Sequence, residues 1–213
     1  ALIERINQQG SPIDIGWEDC YVGAGDQLIR ASGRSIQEVA DSRGTTAGHI
    51  LVELVEKSNF DATIVSFMQD SDDVQYTVCH RLATLGSDAI LTGERPHPRG
   101  WGAFAKLLRD YVVKLEVMTL EDAVCMLTGR AAARLNLHDR GTIRPGAWAD
   151  LTLFDPTAVR DRASYESPRE TAEGFDLVLV NGSAVWEAGA ATGATPGLGL
   201  RKLGRSVVRD AEN

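Results

Sequence analysis

The 213 residues carry a net charge of −8, with 22 Lys and Arg against 30 Asp and Glu. That balance argues against nucleic acid or an anionic membrane as the main partner, because neither attracts an acidic chain. Hydrophobic residues make up 43% of the chain, enough for a sizeable core, and no apolar run approaches the roughly 20 residues that cross a bilayer.

Residues 1–9 read as an amphipathic helix that stops at Gly10, not as a secretory signal. The alternation over 12–17 predicts a short strand. Ser35 with Glu38 three residues on is a capping-box start for a helix ending near Gly44, and 47–57 predicts a second helix with Ile50, Leu51, Leu54 and Val55 on one face. The β-branched run 61–68 predicts a buried strand, Ser71 starts a helix through about Arg81, and 82–86 predicts another strand leading into Ser87-Asp88. Strand, helix and strand with loops this short make a βαβ unit, which implies a parallel sheet or barrel.

After a loop rich in Gly, Pro and Arg, helices are predicted over 103–114, over 120–127 behind Thr119, and over 131–137. From Gly141 the pattern changes to strands over 151–154, 177–180 and 184–186, with Asn181-Gly182 as a type I′ hairpin turn. The fold class expected is therefore α/β up to about residue 140, then a small all-β segment over 141–202 and a tail over 203–213. Two strand–helix units are too few to close a barrel, so the chain reads as a piece of something larger.

Asp88 stands where a predicted strand ends, the place where a βα barrel gathers catalytic groups, and a carboxylate there can move protons. From position alone, capping the following turn is the more ordinary role. Arg99 is a planar donor suited to a carboxylate, in a loop fixed by Pro98 and Gly100. His97 taken alone reads as a hydrogen-bonded structural residue. The four histidines, His49, His80, His97 and His138, show no His-x-His or His-x-x-x-His spacing. The three cysteines, Cys20, Cys79 and Cys125, form no Cys-x-x-Cys pair, which argues against a disulfide framework or structural zinc and for reduced thiols in a cytoplasmic protein.

The stretches Leu85-Gly86-Ser87-Asp88, His97-Pro98-Arg99-Gly100-Trp101-Gly102, Leu108-Arg109-Asp110-Tyr111 and Thr119-Leu120-Glu121-Asp122-Ala123, in that order, resemble the N-acyl-D-amino-acid deacylases. So does Gly141-Thr142-Ile143-Arg144-Pro145-Gly146-Ala147-Trp148-Ala149-Asp150-Leu151, followed by Val180-Asn181-Gly182. The resemblance implies the last strands and helices of a metal-dependent-hydrolase (β/α)8 barrel over 1–140, joined to part of a β-sandwich over 141–202. It implies a zinc-activated water attacking the amide of an N-acyl-D-amino acid, with Asp88 carrying the proton. Arg99 matches the family arginine that binds the substrate carboxylate. His97 goes with it as a substrate-binding candidate, and Met68 matches a region lining the acyl or side-chain pocket, with ordinary core packing as its alternative.

The family's metal ligands lie upstream of the region matched. Zinc is thus expected in the complete enzyme and not on this chain alone, which is expected to be inactive in isolation. Ala89 stands where family members usually carry Gly after the Ser-Asp pair, which tightens the space beside Asp88. An open barrel edge leads us to expect self-association, or association with the missing N-terminal barrel half. Two alternatives remain from the sequence: a non-catalytic partner subunit or scaffold, and a piece of a dihydroorotase-like or hydantoinase-like enzyme, since the Ala-Asp-Leu signature is shared broadly.

Overall fold

The computed structural model describes residues 1–10, 15–24, 33–93 and 95–200. Helix α1 (Leu2–Gln9) ends at Gly10. The strand expected over 12–17 lies mostly outside the described residues, and a single 3-10 turn (Trp17–Asp19) precedes β1 (Cys20–Ala24). The tail over 203–213 is also outside them.

Local chemistry sets the ends of α2 (Ile36–Arg43). The Glu38 amide donates to Ser35 Oγ at 3.1 Å while the Ser35 amide donates to Glu38 Oε2 at 2.8 Å, so two orphan donors are satisfied reciprocally. Such a cap stabilises a helix by about 1 kcal/mol. Thr46 opens α3 (Ala47–Lys57) by accepting from the His49 amide. Ile36, Val39 and Ala40 of α2 and Ala47, Ile50 and Leu54 of α3 then close over Cys20 and Val22 of β1, the first of two cores among the described residues.

Strand β1 pairs antiparallel with β2 (Thr63–Ser66), Cys20 opposite Ser66 and Val22 opposite Ile64. Here the structure departs from the expected βαβ unit in two ways. The strand over 61–68 is not buried, since Ile64, Phe67 and Met68 are all exposed. Residues 82–86 form no strand at all: they run without a ladder partner, and Leu82 is exposed. A strand exists only where a neighbour takes its backbone hydrogen bonds, and no neighbour lies alongside 82–86 among the described residues. The sheet at this end is an antiparallel pair, with no parallel ladder among the described residues.

Helix α4 (Ser71–Val78) is capped by Asp70, one residue earlier than expected. Helix α5 (Arg99–Lys106) continues as a π-helical stretch over Leu107–Lys114, where the Leu115 amide reaches back five residues to the Asp110 carbonyl at 2.8 Å. Then come α6 (Leu120–Leu127), capped by Thr119, and α7 (Gly129–Arg134). Ala105, Leu107, Leu108, Ala123 and Met126 from these helices bury against Val159 as the second core. Each fully buried leucine- or methionine-sized side chain there contributes about 1.5–3 kcal/mol.

A four-stranded antiparallel meander follows: β3 (Leu151–Phe154), β4 (Phe175–Val180), β5 (Ser183–Glu187) and β6 (Ala190–Ala191), in that order. Asn181 and Gly182 connect β4 to β5 with φ of 49° and 82°, the two left-handed positions a type I′ turn demands. The stretch before β3 is tied to that turn. Asp150 Oδ1 accepts the Asn181 amide at 2.7 Å, Arg140 pairs with the Asp150 carboxylate, and Arg140 Nη2 donates to Asn181 Oδ1 at 3.0 Å. Gly141 sits so close to α7 that a Cβ there would lie 2.6 Å from the Ala132 methyl. No helix among the described residues is long and apolar enough to cross a membrane.

Candidate active site

Asp88 lies in the strandless run after α4, with φ of 46° and a side chain 86% exposed. Aspartate is among the few residue types that take the left-handed region without large cost. Arg99, the first residue of α5, reaches back and holds it twice. Its Nη2 meets Asp88 Oδ2 at 2.7 Å and its Nε donates to the Asp88 carbonyl at 2.9 Å. One guanidinium therefore fixes both the carboxylate and the backbone of Asp88.

His97 supports this arrangement from behind. Its Nδ1 accepts the Arg99 amide at 3.1 Å, and its Nε2 lies 3.3 Å from Tyr165 Oη. Burial first, and the Arg99 charge second, hold the imidazole below its ordinary value of 6.5, against an opposing pull from Asp88. The ring is accordingly neutral at neutral pH, with both nitrogens occupied. Two further contacts tie down the rest of the loop. The Arg95 amide donates to the Gly23 carbonyl of β1 at 3.1 Å, and Arg169 Nη2 donates to the Gly93 carbonyl at 2.6 Å while lying over the Trp101 ring.

Of the four residues singled out from the sequence, Asp88, His97 and Arg99 come together. Met68 stands apart just beyond β2, half of its surface exposed. Its neighbour Phe67 joins the cluster instead, packing against Tyr21 at 5.4 Å and Tyr165 at 4.7 Å between ring centroids. Sequence reasoning missed Tyr165 and Arg169. Neither sits in a periodic apolar pattern or beside another polar candidate, so no local signal marks them.

A cleft of about 560 Å³ opens beside the loop, lined among others by His97, Arg99, Lys106, Arg109, Asp161 and Tyr165. Its other cations are committed. Arg109 grips Asp110 with two bonds of 2.7 and 2.8 Å and pairs with Asp161, and Lys106 meets Asp110 at 2.8 Å. Chiefly through Arg109, these charges hold the Asp110 carboxyl far below the usual carboxylate range. Arg99 differs from them in lying at the rim with donors to spare: two of its five N–H groups go to Asp88, leaving others for an external anion.

Among the described residues no three His, Cys, Asp or Glu side chains converge in a group that could hold a metal ion. His49 is in α3, His80 follows α4, and His138 precedes Gly141, all on different parts of the chain. The donor set described does not fit a metal centre.

A sequence model of the amidohydrolase family matches residues 20–186. The chain belongs to the amidohydrolase family. A D-aminoacylase of Alcaligenes xylosoxydans xylosoxydans is 42% identical to it over 166 residues, which are 78% of this chain and 33% of that protein. An N-acyl-D-glutamate deacylase of the same organism is 36% identical over 185 residues, 87% of this chain and 36% of that protein. Among solved structures, a crystal structure of D-aminoacylase superimposes with a TM-score of 0.76 at 39% identity, over 82% of this chain and 36% of that one. The N-acyl-D-glutamate deacylase of Bordetella bronchiseptica, complexed with zinc and a phosphonate mimic of the tetrahedral intermediate, gives 0.77 at 32%, over 89% and 38%. This amidohydrolase chain thus has the fold of the matching part of D-aminoacylase structures, and spans about a third of the length of the relatives it matches.

Proposed function

We propose that the chain is the C-terminal portion of a zinc-dependent amidohydrolase that cleaves the amide bond of N-acyl-D-amino acids, releasing a carboxylate and a free D-amino acid. Residues 1–140 belong to the closing βα units of a (β/α)8 barrel, 141–202 to a β-sandwich, and 203–213 to a tail. The β3–β6 meander is the part of the sandwich that this stretch carries, while the antiparallel β1–β2 pair stands outside the parallel ladder of such a barrel. The metal ligands belong to the part of the barrel upstream of the matched region.

The observation that carries this reading is the double hold of Arg99 on Asp88, in a chain similar to D-aminoacylases. Asp88 presents an exposed carboxylate that can take a proton and return one to the leaving amine nitrogen. Arg99, with donors beyond those used on Asp88, binds the α-carboxylate of the substrate. Binding the carboxylate and moving the proton from residues joined by a 2.7 Å contact sets a short distance between the two ends of the reacting amino acid. His97 belongs to the substrate-binding loop and Met68 to the acyl or side-chain pocket. Association with the rest of the barrel completes the site, and the protein works in the cytoplasm.

The test is an assay of the full-length gene product with N-acetyl-D-methionine and N-acetyl-L-methionine, with and without zinc. Zinc-dependent release of D-methionine is expected, and none from residues 1–213 alone. Turnover of the L-enantiomer only, or of neither, overturns the proposal.

A further inference from the structure

Tyr165 belongs to none of the motifs above, yet three observations bring it to the site. Its Oη is 3.3 Å from His97 Nε2. Its ring packs on Phe67 at 4.7 Å and edge-on to His97 at 5.2 Å, so it bridges the end of β2 and the 97–99 loop. Its own backbone is set in a tight turn, where the Ser164 amide donates to the Ser167 carbonyl and the Ser167 amide to Ser164 Oγ, both at 3.1 Å. The ring is thus held by neighbours on both sides.

The hydrogen-bond directions follow from chemistry. The Arg99 amide can only donate, so His97 Nδ1 must offer its lone pair. In a neutral imidazole the proton then sits on Nε2 and points at Tyr165 Oη, which accepts it. Burial pushes the Tyr165 phenol above its ordinary value of 10, so the acceptor is the neutral hydroxyl at physiological pH. Removing that acceptor leaves the Nε2–H without its partner and the ring held by the Arg99 amide alone. A ring free to turn about its side-chain bonds would carry Nδ1 off the Arg99 amide and loosen the start of α5 beside Asp88.

We propose that Tyr165 is a positioning residue for Arg99, acting through His97: its hydroxyl accepts the Nε2–H and fixes the imidazole ring so that Nδ1 holds the Arg99 backbone, and so aims the guanidinium. The inference rests on the reading of Arg99 as the carboxylate-binding residue, and its closing experiment separates the two. In the 15N-labelled 213-residue chain, long-range imidazole spectra report the His97 tautomer, with the signal assigned by its loss in His97→Gln. The unsubstituted chain is expected to show the Nε2–H form. In Tyr165→Phe, which keeps the ring stack, the His97 Nε2–H and the Arg99 Nε–H are expected to exchange with solvent about fivefold faster, the loss of one neutral hydrogen bond.

In the full-length protein Tyr165→Phe is expected to raise KM for the N-acyl-D-amino acid about fivefold with kcat nearly unchanged, as loss of uniform substrate binding requires. An Nδ1–H tautomer in the unsubstituted chain overturns the inference without any variant. So does a Tyr165→Phe chain whose His97 and Arg99 signals do not move, or a fall in kcat at constant KM. A full-length protein that hydrolyses no N-acyl-D-amino acid overturns the functional reading, while the spectra still decide whether Tyr165 sets the His97–Arg99 geometry.

Discussion

Arg99 holds Asp88 at two points, the carboxylate at 2.7 Å and the backbone carbonyl at 2.9 Å, across eleven residues of sequence. The Asp88 side chain is 86% exposed and that of Arg99 37%, and ion pairs that wet contribute about 0–1 kcal/mol to folding. The pair is too weak to be retained for stability, and its geometry matters more than its energy. Arg99→Lys tests this, because an ammonium is a point charge that cannot reach both oxygens in a planar fork. Stability of the chain in urea is expected to change by less than about 1 kcal/mol. In the full-length protein KM for the N-acyl-D-amino acid is expected to rise roughly ten- to a hundredfold, the worth of one charged hydrogen bond. Unchanged KM would separate Arg99 from the substrate.

Asp88→Asn makes the complementary test. The left-handed φ of 46° suits asparagine as well as aspartate, so the backbone should keep its shape while the proton-carrying oxygen is lost. In the full-length protein kcat is expected to fall on the order of 10²- to 10⁴-fold, the usual contribution of a general acid–base group. Circular dichroism and the unfolding midpoint are expected to stay as they are. A variant that retains kcat would remove Asp88 from the proton path. Asp88→Val, by contrast, should also loosen the loop, because a β-branched residue resists this φ.

Elements whose ends are written locally were legible in the sequence. Ser35 with Glu38, and Thr119, announce helix starts within three residues, and each does cap its helix. Asn181-Gly182 likewise needs no distant partner to specify its turn. What could not be read was pairing between remote segments. The run 61–68 looks the same whether its neighbour is parallel or antiparallel, and only the ladder of β1 against β2 decides. In the site, Asp88, His97 and Arg99 share one loop and were found together; that an arginine in such a loop pairs with a local acid is its ordinary role, and the fold names that acid as Asp88. Tyr165 lies 68 residues from His97 and carries no spacing signal, so its place emerges only from the fold.

The Gly141–Leu151 stretch is anchored by contacts whose worth can be measured. Asp150 takes the Asn181 amide at 2.7 Å and neutralises Arg140, whose side chain is 11% exposed and also holds Asn181 Oδ1. Asp150→Ala would leave a nearly buried guanidinium short of its carboxylate and an amide without its acceptor. The expected cost is about 1–3 kcal/mol, seen as a lower urea midpoint at unchanged slope. Arg140→Ala on top of Asp150→Ala should cost less than the sum of the two single changes, because the groups share one network. Additive losses would mean that the two residues act independently.

His97 gives the stability a pH dependence whose sign follows from the direction of its shift. Its folded value lies below the 6.5 it has when unfolded, because burial and Arg99 disfavour the cation more than the Asp88 carboxylate favours it. The unfolded chain therefore binds more protons between those two values, and stability must rise with pH across that window. The contribution is fully present above 6.5 and is lost as pH falls from 6.5 through the folded value. Protonation also puts a hydrogen on Nδ1, facing the Arg99 amide at 3.1 Å, so the same titration should release the start of α5. Comparing urea midpoints of the chain and of His97→Gln between about pH 5 and 8 isolates this effect, since His97 is the group removed. The difference between the two curves is expected to slope upward with pH below 6.5 and to be flat above it. A slope of the opposite sign would mean that Asp88 outweighs burial and Arg99, and that His97 is held as a cation.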